Sequence, residues 1–286
     1  MLRERLNESL RLGQTAEVLA AADAYFHEHP DPSAEALWVA AYACRAAGAR
    51  GQWGQAVRWS EQAKALKVKE TEAEGWIQLV LGAAQMYLGN AYRAEKALAA
   101  FDRLARRSPR LRSLQPYADF NRAILMRFLR RHAEEIASLQ KASQGFTALD
   151  CARESLQCRL EIAWAHLLQS EPGLALPELD EASRLLGTGG DADLKTDAAI
   201  GWALYYRLTG DLDRAERLCQ EVLNNVALPP RQEADALWIA GCVARARGDL
   251  AQARQLGDEA HRIAARDYWP MQVERIEALR SVAIAN

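Results

Sequence analysis

A helix–turn–helix pattern recurs in this chain at intervals of 38 residues, and it constrains the fold more than any other feature. Segments 207–215 and 245–253 share an Arg, a Gly three residues later, then Asp and Leu, and an Ala five residues after the Gly. A third copy at 86–94 has Asn in place of the first Asp. A weaker copy lies at 51–56, with its Gly 38 residues before Gly89. A period of 38–40 residues predicts a solenoid of stacked helical hairpins.

Each residue type in the pattern has a physical role. Gly adopts the left-handed conformation that ends the first helix. Asp or Asn caps the next helix and interacts favourably with its N-terminal dipole, and the small Ala lets the two helices pack closely. Composition agrees, since 55 of the 286 residues are Ala and only 17 are Gly, and alanine favours helices. We therefore expect an all-α fold.

The repeat also predicts how the chain is divided. Degenerate turns at 130–136 and 170–175 fill the long interval between Gly89 and Gly210. We expect one helical-repeat domain over residues 1–286, with about seven hairpins and a C-terminal capping helix. The expected hairpins cover 1–30, 33–68, 70–107, 110–149, 150–187, 190–226 and 229–265, and the capping helix covers 268–285.

These hairpins resemble the tetratricopeptide repeat (TPR). The family's small position in the first helix is filled by Gly82, Ala203 and Gly241, and its aromatic position by Tyr206. The longer period is similar to that of TPR-like modules in bacterial transcription activators and peptide-sensing regulators. The resemblance implies a right-handed α-α superhelix, a TPR-like solenoid.

In TPR arrays the first helix of each hairpin lines a concave groove, so the resemblance also implies which side chains face a ligand. Arg and aromatic side chains suit an extended peptide, because Arg binds carboxylates and rings fill apolar pockets. The alternative for the two Trp residues is packing between helices. The implied groove residues are Arg45, Asn121, Arg122, Trp164, Arg207, Trp238 and Arg245.

Segment 103–131 carries nine Arg and one acid, Asp119, a local charge of +8 in a chain whose net charge is −2. One interpretation is an anion patch that binds an acidic peptide or protein, or nucleic acid phosphates. Aromatic residues are sparse there and the chain is not basic, so nucleic acid is the less favoured anion. The other interpretation is solvated helix faces whose Arg pair with Glu134, Glu135 or Glu154. The patch residues are Arg103, Arg106, Arg107, Arg110, Arg112, Arg127, Arg130 and Arg131.

No motif indicates catalysis, so we expect no enzyme, no cofactor and no metal site. The five Cys lack CxxC spacing, the five His do not cluster, and neither GxxxxGK[ST] nor GxSxG occurs. Cysteine usage predicts buried free thiols, and the sequence has no signal peptide or membrane-spanning run. These features favour a cytoplasmic protein, bacterial by the resemblance.

We expect a non-enzymatic scaffold that binds a protein or peptide segment in the groove, an acidic one if the Arg residues form the site. Direct contact with nucleic acid or membrane is not expected. Two alternatives stay open. One is a peptide- or ligand-sensing regulatory domain of a bacterial transcription regulator, and the other is a homo-oligomeric assembly module, such as a homodimer joined through an end hairpin.

Overall fold

The computed structural model of the chain describes residues 2–29, 31–187, 191–225, 228–266 and 270–282. Sixteen helices account for most of these residues. In chain order they are α1 (Leu2–Arg11), α2 (Thr15–Glu28), α3 (Ala34–Ala49), α4 (Trp53–Ala65), α5 (Thr71–Tyr87), α6 (Ala91–Ala105), α7 (Pro109–Arg112), α8 (Gln115–Phe128), α9 (His132–Ala148), α10 (Ala152–Leu168), α11 (Pro172–Leu186), α12 (Ala192–Thr209), α13 (Leu212–Leu223), α14 (Pro230–Ala246), α15 (Leu250–Arg266) and α16 (Pro270–Val282).

Fourteen of the described helices form seven successive pairs, α1/α2 to α14/α15, each joined by two or three residues. With α16 as the closing helix, the all-α architecture of about seven hairpins is confirmed. Some residues of the expected elements lie outside the described residues: 1, 30, 190, 226, 268, 269 and 283–285.

The turns show why some copies of the repeat are clear and others are not. In the four copies with a turn Gly, φ of that residue lies between +67° and +92°: Gly51, Gly89, Gly210 and Gly248. In the two degenerate turns a residue with a side chain takes the left-handed conformation, Arg130 at φ +56° and Ser170 at φ +60°. These two turns have the same backbone geometry as the others, but no Gly marks them in the sequence.

The expected helix caps are present in two of the three clear copies. Asp211 Oδ1 accepts a hydrogen bond from the backbone N–H of Arg214 at 3.2 Å, and Asp249 Oδ1 accepts one from Gln252 at 2.9 Å. The side chain of Asn90 caps nothing, so the expectation is wrong for the third copy. The repeat alanines are fully buried where the helices approach each other: Ala56, Ala94, Ala215 and Ala253.

The chain separates into two compact units, unit 1 (residues 1–138) and unit 2 (residues 139–286), with the division inside α9. In unit 1, α1 packs on α3, α3 on α5 and α5 on α8. In unit 2, α10 packs on α12, α12 on α14 and α14 on α16. Each unit thus has a layer of adjacent first helices, which the closing helix α16 continues in unit 2. We call the outer side of that layer the first-helix face of the unit.

The short helix α7 is an element that the sequence pattern did not predict. Ser108 Oγ caps it by accepting the backbone N–H of Leu111 at 3.4 Å. Leu111 is 1% exposed and fills the space above Gly75 of α5, where an added Cβ would lie 2.4 Å from Leu111 Cδ1. This contact fixes α7 on α5 and places Arg110 beside the first-helix face of unit 1.

Candidate functional site

The first-helix face of unit 1 contains a cavity of about 450 Å³ formed by α1, α3, α5 and α7. Its walls combine three Arg, three aromatic rings, two Glu and an amide. These side chains are Arg3, Glu4, Asn7, Trp38, Tyr42, Arg45, Glu72, Trp76 and Arg110.

Two arginines of this cavity stack on indole rings. Arg3 Cζ lies 3.7 Å from the centroid of Trp38, and Arg45 Cζ lies 3.8 Å from the centroid of Trp76. Both are cation–π distances. Burial lowers the pKa of Arg45 below its ordinary value, although an arginine stays protonated in proteins. A guanidinium that stacks through its face keeps its N–H groups at the edge for other partners.

One of the two glutamates of this cavity, Glu72, is hydrogen-bonded to α7 and its cap. Glu72 Oε2 accepts a hydrogen bond from Arg110 Nη1 at 3.3 Å, and Glu72 Oε1 accepts one from Ser108 Oγ at 3.4 Å. Within the described part of the chain, neither Arg3 nor Arg45 has a carboxylate partner. Arg3 and Arg45 thus make no ion pair within the described residues, although Glu4 and Glu72 line the same cavity.

The first-helix face of unit 2 holds an aromatic pair around a cation. The rings of Trp164 (α10) and Trp238 (α14) have centroids 6.4 Å apart at an angle of 70°. Arg275 of α16 lies over both, with Cζ at 5.3 Å from Trp164 and 4.8 Å from Trp238. Its Nη2 donates to Asp235 Oδ1 at 2.8 Å. The chain itself thus supplies the cation for this pair of rings.

A network of ion pairs extends from this cluster across α12, α14 and α16. The side chain of Asp235 is 5% exposed and also faces Arg231 Nη1 at 3.7 Å. Arg231 Nη2 in turn donates to Asp197 Oδ1 at 2.6 Å, and Gln232 Nε2 donates to the same oxygen at 2.9 Å. Alternating charges therefore connect α12, α14 and α16.

Two further arginines on this face lack such partners. Arg207 (α12) and Arg245 (α14) are half-buried, and among the described residues neither pairs with a carboxylate. Arg207 Nε is buried and makes no hydrogen bond there. Burial raises the pKa of the Cys242 thiol, and the charges of Arg207, Arg245 and Arg275 oppose that rise. All three arginines therefore act electrostatically on the same residue of α14.

Arg207 and Arg245 differ from most other half-buried arginines in having no carboxylate partner among the described residues. Seven arginines of the described chain are half-buried. Four of them bind a carboxylate at 2.9 Å or less: Arg122, Arg127, Arg159 and Arg275. The three that do not are Arg45, Arg207 and Arg245. All three lie on first helices, and all three were expected to face the groove. A charge that is removed from water without a partner is costly, so a bound anion would be most stabilising at these positions.

The other four residues that were predicted to line the groove have a different environment. Arg122 pairs with Asp102 at 2.8 Å and with Asp119, and neither Arg122 nor Asn121 lines the unit 1 cavity. Trp164 and Trp238 pack against the hydrophobic core of unit 2 as well as holding Arg275. A ligand role for these four residues, as for Arg45, Arg207 and Arg245, stays a prediction.

The residues of the expected anion patch differ in whether they bind a carboxylate of the chain. Arg127 Nε binds Glu135 Oε1 at 2.6 Å, Arg131 binds Glu134, and Arg110 binds Glu72. Glu134 and Glu135 are two of the three acids that the pairing interpretation named. Arg130 is exposed. The exposed members that have no carboxylate partner in the described chain are Arg103, Arg106, Arg107 and Arg112.

Much of both clusters could not be predicted from the sequence. Trp38, Tyr42 and Arg45 follow one another at i, i+4 and i+7 on α3, which is the spacing of a single helix face. The same spacing is typical of core residues, so it does not distinguish a Trp38 that lines a cavity from one that packs in the core. Arg3 and Arg275 had no local signal, because each meets its rings only through tertiary packing.

Two other properties bear on what the clusters can do. Among the described residues, no group of three or more His, Cys, Asp or Glu side chains is arranged to hold a metal ion. No described helix is both long enough and apolar enough to cross a membrane.

No protein-family model matches the sequence, and no curated protein sequence matches it. Solved structures match over nearly the whole chain. NprR in complex with its cognate peptide NprX has a TM-score of 0.71 at 16% identity, over 100% of this chain and 84% of that one. A Rap protein complexed with competence and sporulation factor has a TM-score of 0.71 at 14% identity, over 96% and 78%. A tetratricopeptide repeat protein from Parabacteroides merdae has a TM-score of 0.63 at 14% identity, over 98% and 96%.

The chain has the TPR-like helical-repeat fold. At these identities the likeness concerns the fold, and it agrees with the hairpin repeat read from the sequence. The turns at Arg130 and Ser170 extend that repeat through the middle of the chain.

Proposed function

We propose that this protein is a non-enzymatic scaffold that binds an acidic peptide or protein segment on the first-helix face of unit 2, through Arg207 and Arg245. The observation that carries this proposal is the pairing pattern. The other half-buried arginines of the described chain bind a carboxylate of the chain, whereas Arg207 and Arg245, together with Arg45 in unit 1, do not.

The chemistry of these two side chains fits an extended acidic ligand. Each guanidinium can form two parallel charge-assisted hydrogen bonds to a carboxylate. Arg207 Nε, which is buried without a hydrogen-bond partner in the described chain, would gain one from a bound anion. The rings of Trp164 and Trp238 lie on the same face and offer apolar contact area, and Trp and Arg are the residue types that dominate binding energy at protein interfaces.

The solved complexes support the same class of function. NprR is bound to the peptide NprX and the Rap protein to competence and sporulation factor. Both share this fold. We extend only the class of ligand, a peptide, to this chain.

Three of the cysteines are poorly suited to act as nucleophiles. Burial raises the pKa of Cys44, Cys158 and Cys219 to about 12, so these thiols stay protonated near neutral pH, and only a thiolate is an effective nucleophile. Free buried thiols also fit a reducing compartment, and we place this binding function in the cytoplasm.

A peptide-sensing regulatory domain is the second candidate, and the Arg275–Asp235 contact favours it. A ligand carboxylate that reached Arg275 would compete with Asp235 for the same N–H groups, and α16 would then lose an ion pair to α14. Hydrogen exchange measured with and without peptide tests this candidate. Faster exchange in α16 on binding supports a sensor, and unchanged or slower exchange supports a passive scaffold.

Selection from a random peptide display library tests the main proposal. We expect wild-type protein to select peptides rich in Asp and Glu, and the Arg207→Gln/Arg245→Gln double variant to lose them. Arg254→Gln is the matched control, because Arg254 is exposed on the second helix α15. Selected peptides without acidic residues, or equal capture by the double variant, would overturn the proposal.

A further inference from the structure

A second cavity of unit 1 lies between the second helix α4 and the first helix α5, and we call it the α4/α5 cavity. Its volume of about 410 Å³ is within the range of small-ligand sites. It shares no lining residue with the cavity on the first-helix face. We propose that the α4/α5 cavity binds a neutral small molecule with an apolar body and one hydroxyl group, which the side chain of Gln85 recognises.

The walls of this cavity suit an apolar body. Six aliphatic side chains line it, and three of them are at most 4% exposed. They are Leu37, Val57, Ala63, Val68, Ile77 and Leu81. Glu61 and Lys64 are the exposed lining residues, and they mark the opening. The apolar part of a ligand would therefore leave water on entering the cavity, which favours binding.

Gln85 supplies a polar partner in these apolar surroundings. The residue lines the cavity and is 5% exposed, and its Oε1 atom is buried without a hydrogen-bond partner among the described residues. A buried carbonyl oxygen without a partner is costly, because it has lost its hydrogen bonds to water. The amide can turn about the last bond of the side chain, a torsion with broad wells. Oε1 can therefore accept a hydrogen bond from a hydroxyl group in the cavity.

The repeat itself does not require a polar residue at this position. Gln85 lies four residues before the turn Gly of its hairpin, and the same position is Ala47, Tyr206 and Ala244 in the other three copies. The two alanines are buried, and the ring of Tyr206 stacks on Trp202 with centroids 5.6 Å apart. The position serves packing in those copies, whereas in this copy it carries an amide that lines a cavity.

The charges of the cavity favour a neutral ligand. Its ionisable lining residues are two acids and one base: Glu61, Glu74 and Lys64. Glu74 Oε1 already accepts the backbone N–H of Glu70 at 3.2 Å. Along α5, Gln85 is 11 residues beyond Glu74, about 16 Å at 1.5 Å per residue. A charged group beside Gln85 would therefore lose its water without gaining an ion pair with Glu74, which is unfavourable.

Three probes with the same hexyl chain test this site in the full-length chain. They are 1-hexanol, 1-fluorohexane, whose fluorine is a poor hydrogen-bonding group, and hexylammonium, which is charged. The δ1-methyl resonance of Ile77 reports on the cavity in protein labelled at isoleucine methyl groups. Ile239, which is buried in unit 2, is the internal control, and Ile77→Val and Ile239→Val assign the two resonances.

We expect 1-hexanol to shift the Ile77 resonance saturably and to leave Ile239 unchanged, and hexylammonium to bind at least about tenfold more weakly. Gln85→Leu should weaken 1-hexanol by about threefold or more and should tighten 1-fluorohexane, because leucine has a similar size and no oxygen. Gln62→Leu is the matched control, since Gln62 is exposed on α4, and it should change neither affinity.

Each part of the proposal has its own contrary result. If 1-hexanol gives no saturable shift of Ile77 in the wild-type protein, the cavity is not a ligand site, whether or not Gln85→Leu folds. If Gln85→Leu changes the affinities of 1-hexanol and 1-fluorohexane by the same factor, the amide does not recognise the hydroxyl group. Hexylammonium that binds as tightly as 1-hexanol would overturn the neutral class of ligand. None of these results depends on the selection of acidic peptides.

Discussion

The guanidinium of Arg275 lies 4.8 Å from the centroid of the Trp238 indole while its Nη2 binds the nearly buried carboxylate of Asp235 at 2.8 Å. Arg275 of the closing helix therefore makes both a cation–π contact and an ion pair with α14. Trp164 completes the same cluster from α10. The contact assigns these rings a stabilising role within unit 2, beside the arginines that have no carboxylate partner in the described chain.

Removing Arg275 tests that role. Arg275→Gln should lower the free energy of unfolding by about 2 kcal/mol, because the nearly buried carboxylate of Asp235 would lose its ion pair at 2.8 Å. The measurement is urea denaturation of the full chain. Asp235→Asn combined with Arg275→Gln should cost less than the sum of the two single changes. Strict additivity would show that the pair does not interact.

The contact between Gly75 and Leu111 makes a second prediction. Ala is the better helix former by about 1 kcal/mol, yet Gly75→Ala should destabilise the protein by about 1–3 kcal/mol, because its Cβ would meet the buried side chain of Leu111 at 2.4 Å. Gly54→Ala is the control, since no heavy atom lies within 4 Å of a Cβ there, and it should be neutral or stabilising by up to about 1 kcal/mol. Thermal unfolding of the two variants decides the point, and a stabilising Gly75→Ala would refute the packing.

The thiols give a third prediction. A raised pKa keeps a thiol protonated until the pH approaches that value, so Cys44, Cys158 and Cys219, with pKa values of about 12, should be inert to a thiol reagent at pH 8. Cys151 is half-buried and should react first. We expect one fast thiol per folded chain and five after denaturation. Cys151→Ser should remove the fast phase, and its persistence would contradict this assignment.

The sequence predicts the hairpins well because their signals are local. A turn Gly, a cap and a small Ala lie within a few residues of one another. Gly210, Asp211 and Ala215 therefore predict a hairpin from local sequence alone. The copies at Arg130 and Ser170 are harder to read, since the backbone conformation is kept without its usual residue. Helix α7 was missed because one turn has no periodicity, and the packing of Leu111 on Gly75 holds it in place.

The candidate sites were predictable only in part, for the same reason. The positions of Arg207 and Arg245, three residues before a turn Gly, place both on first helices. Whether such an arginine is paired depends on acids from other helices, as for Arg122 with Asp102. No local pattern gives that partner, so the contrast between paired and unpaired arginines appears only in the structure.

The most direct test of the central claim is the dissociation constant of a selected acidic peptide, measured by calorimetry against three proteins. Arg207→Gln/Arg245→Gln should bind at least about tenfold more weakly than wild type, because two half-buried guanidiniums would no longer hold a carboxylate. Arg254→Gln should bind like wild type, since its side chain is exposed on α15. An unchanged dissociation constant for the double variant, or an equal loss for Arg254→Gln, would contradict binding at the first-helix face of unit 2.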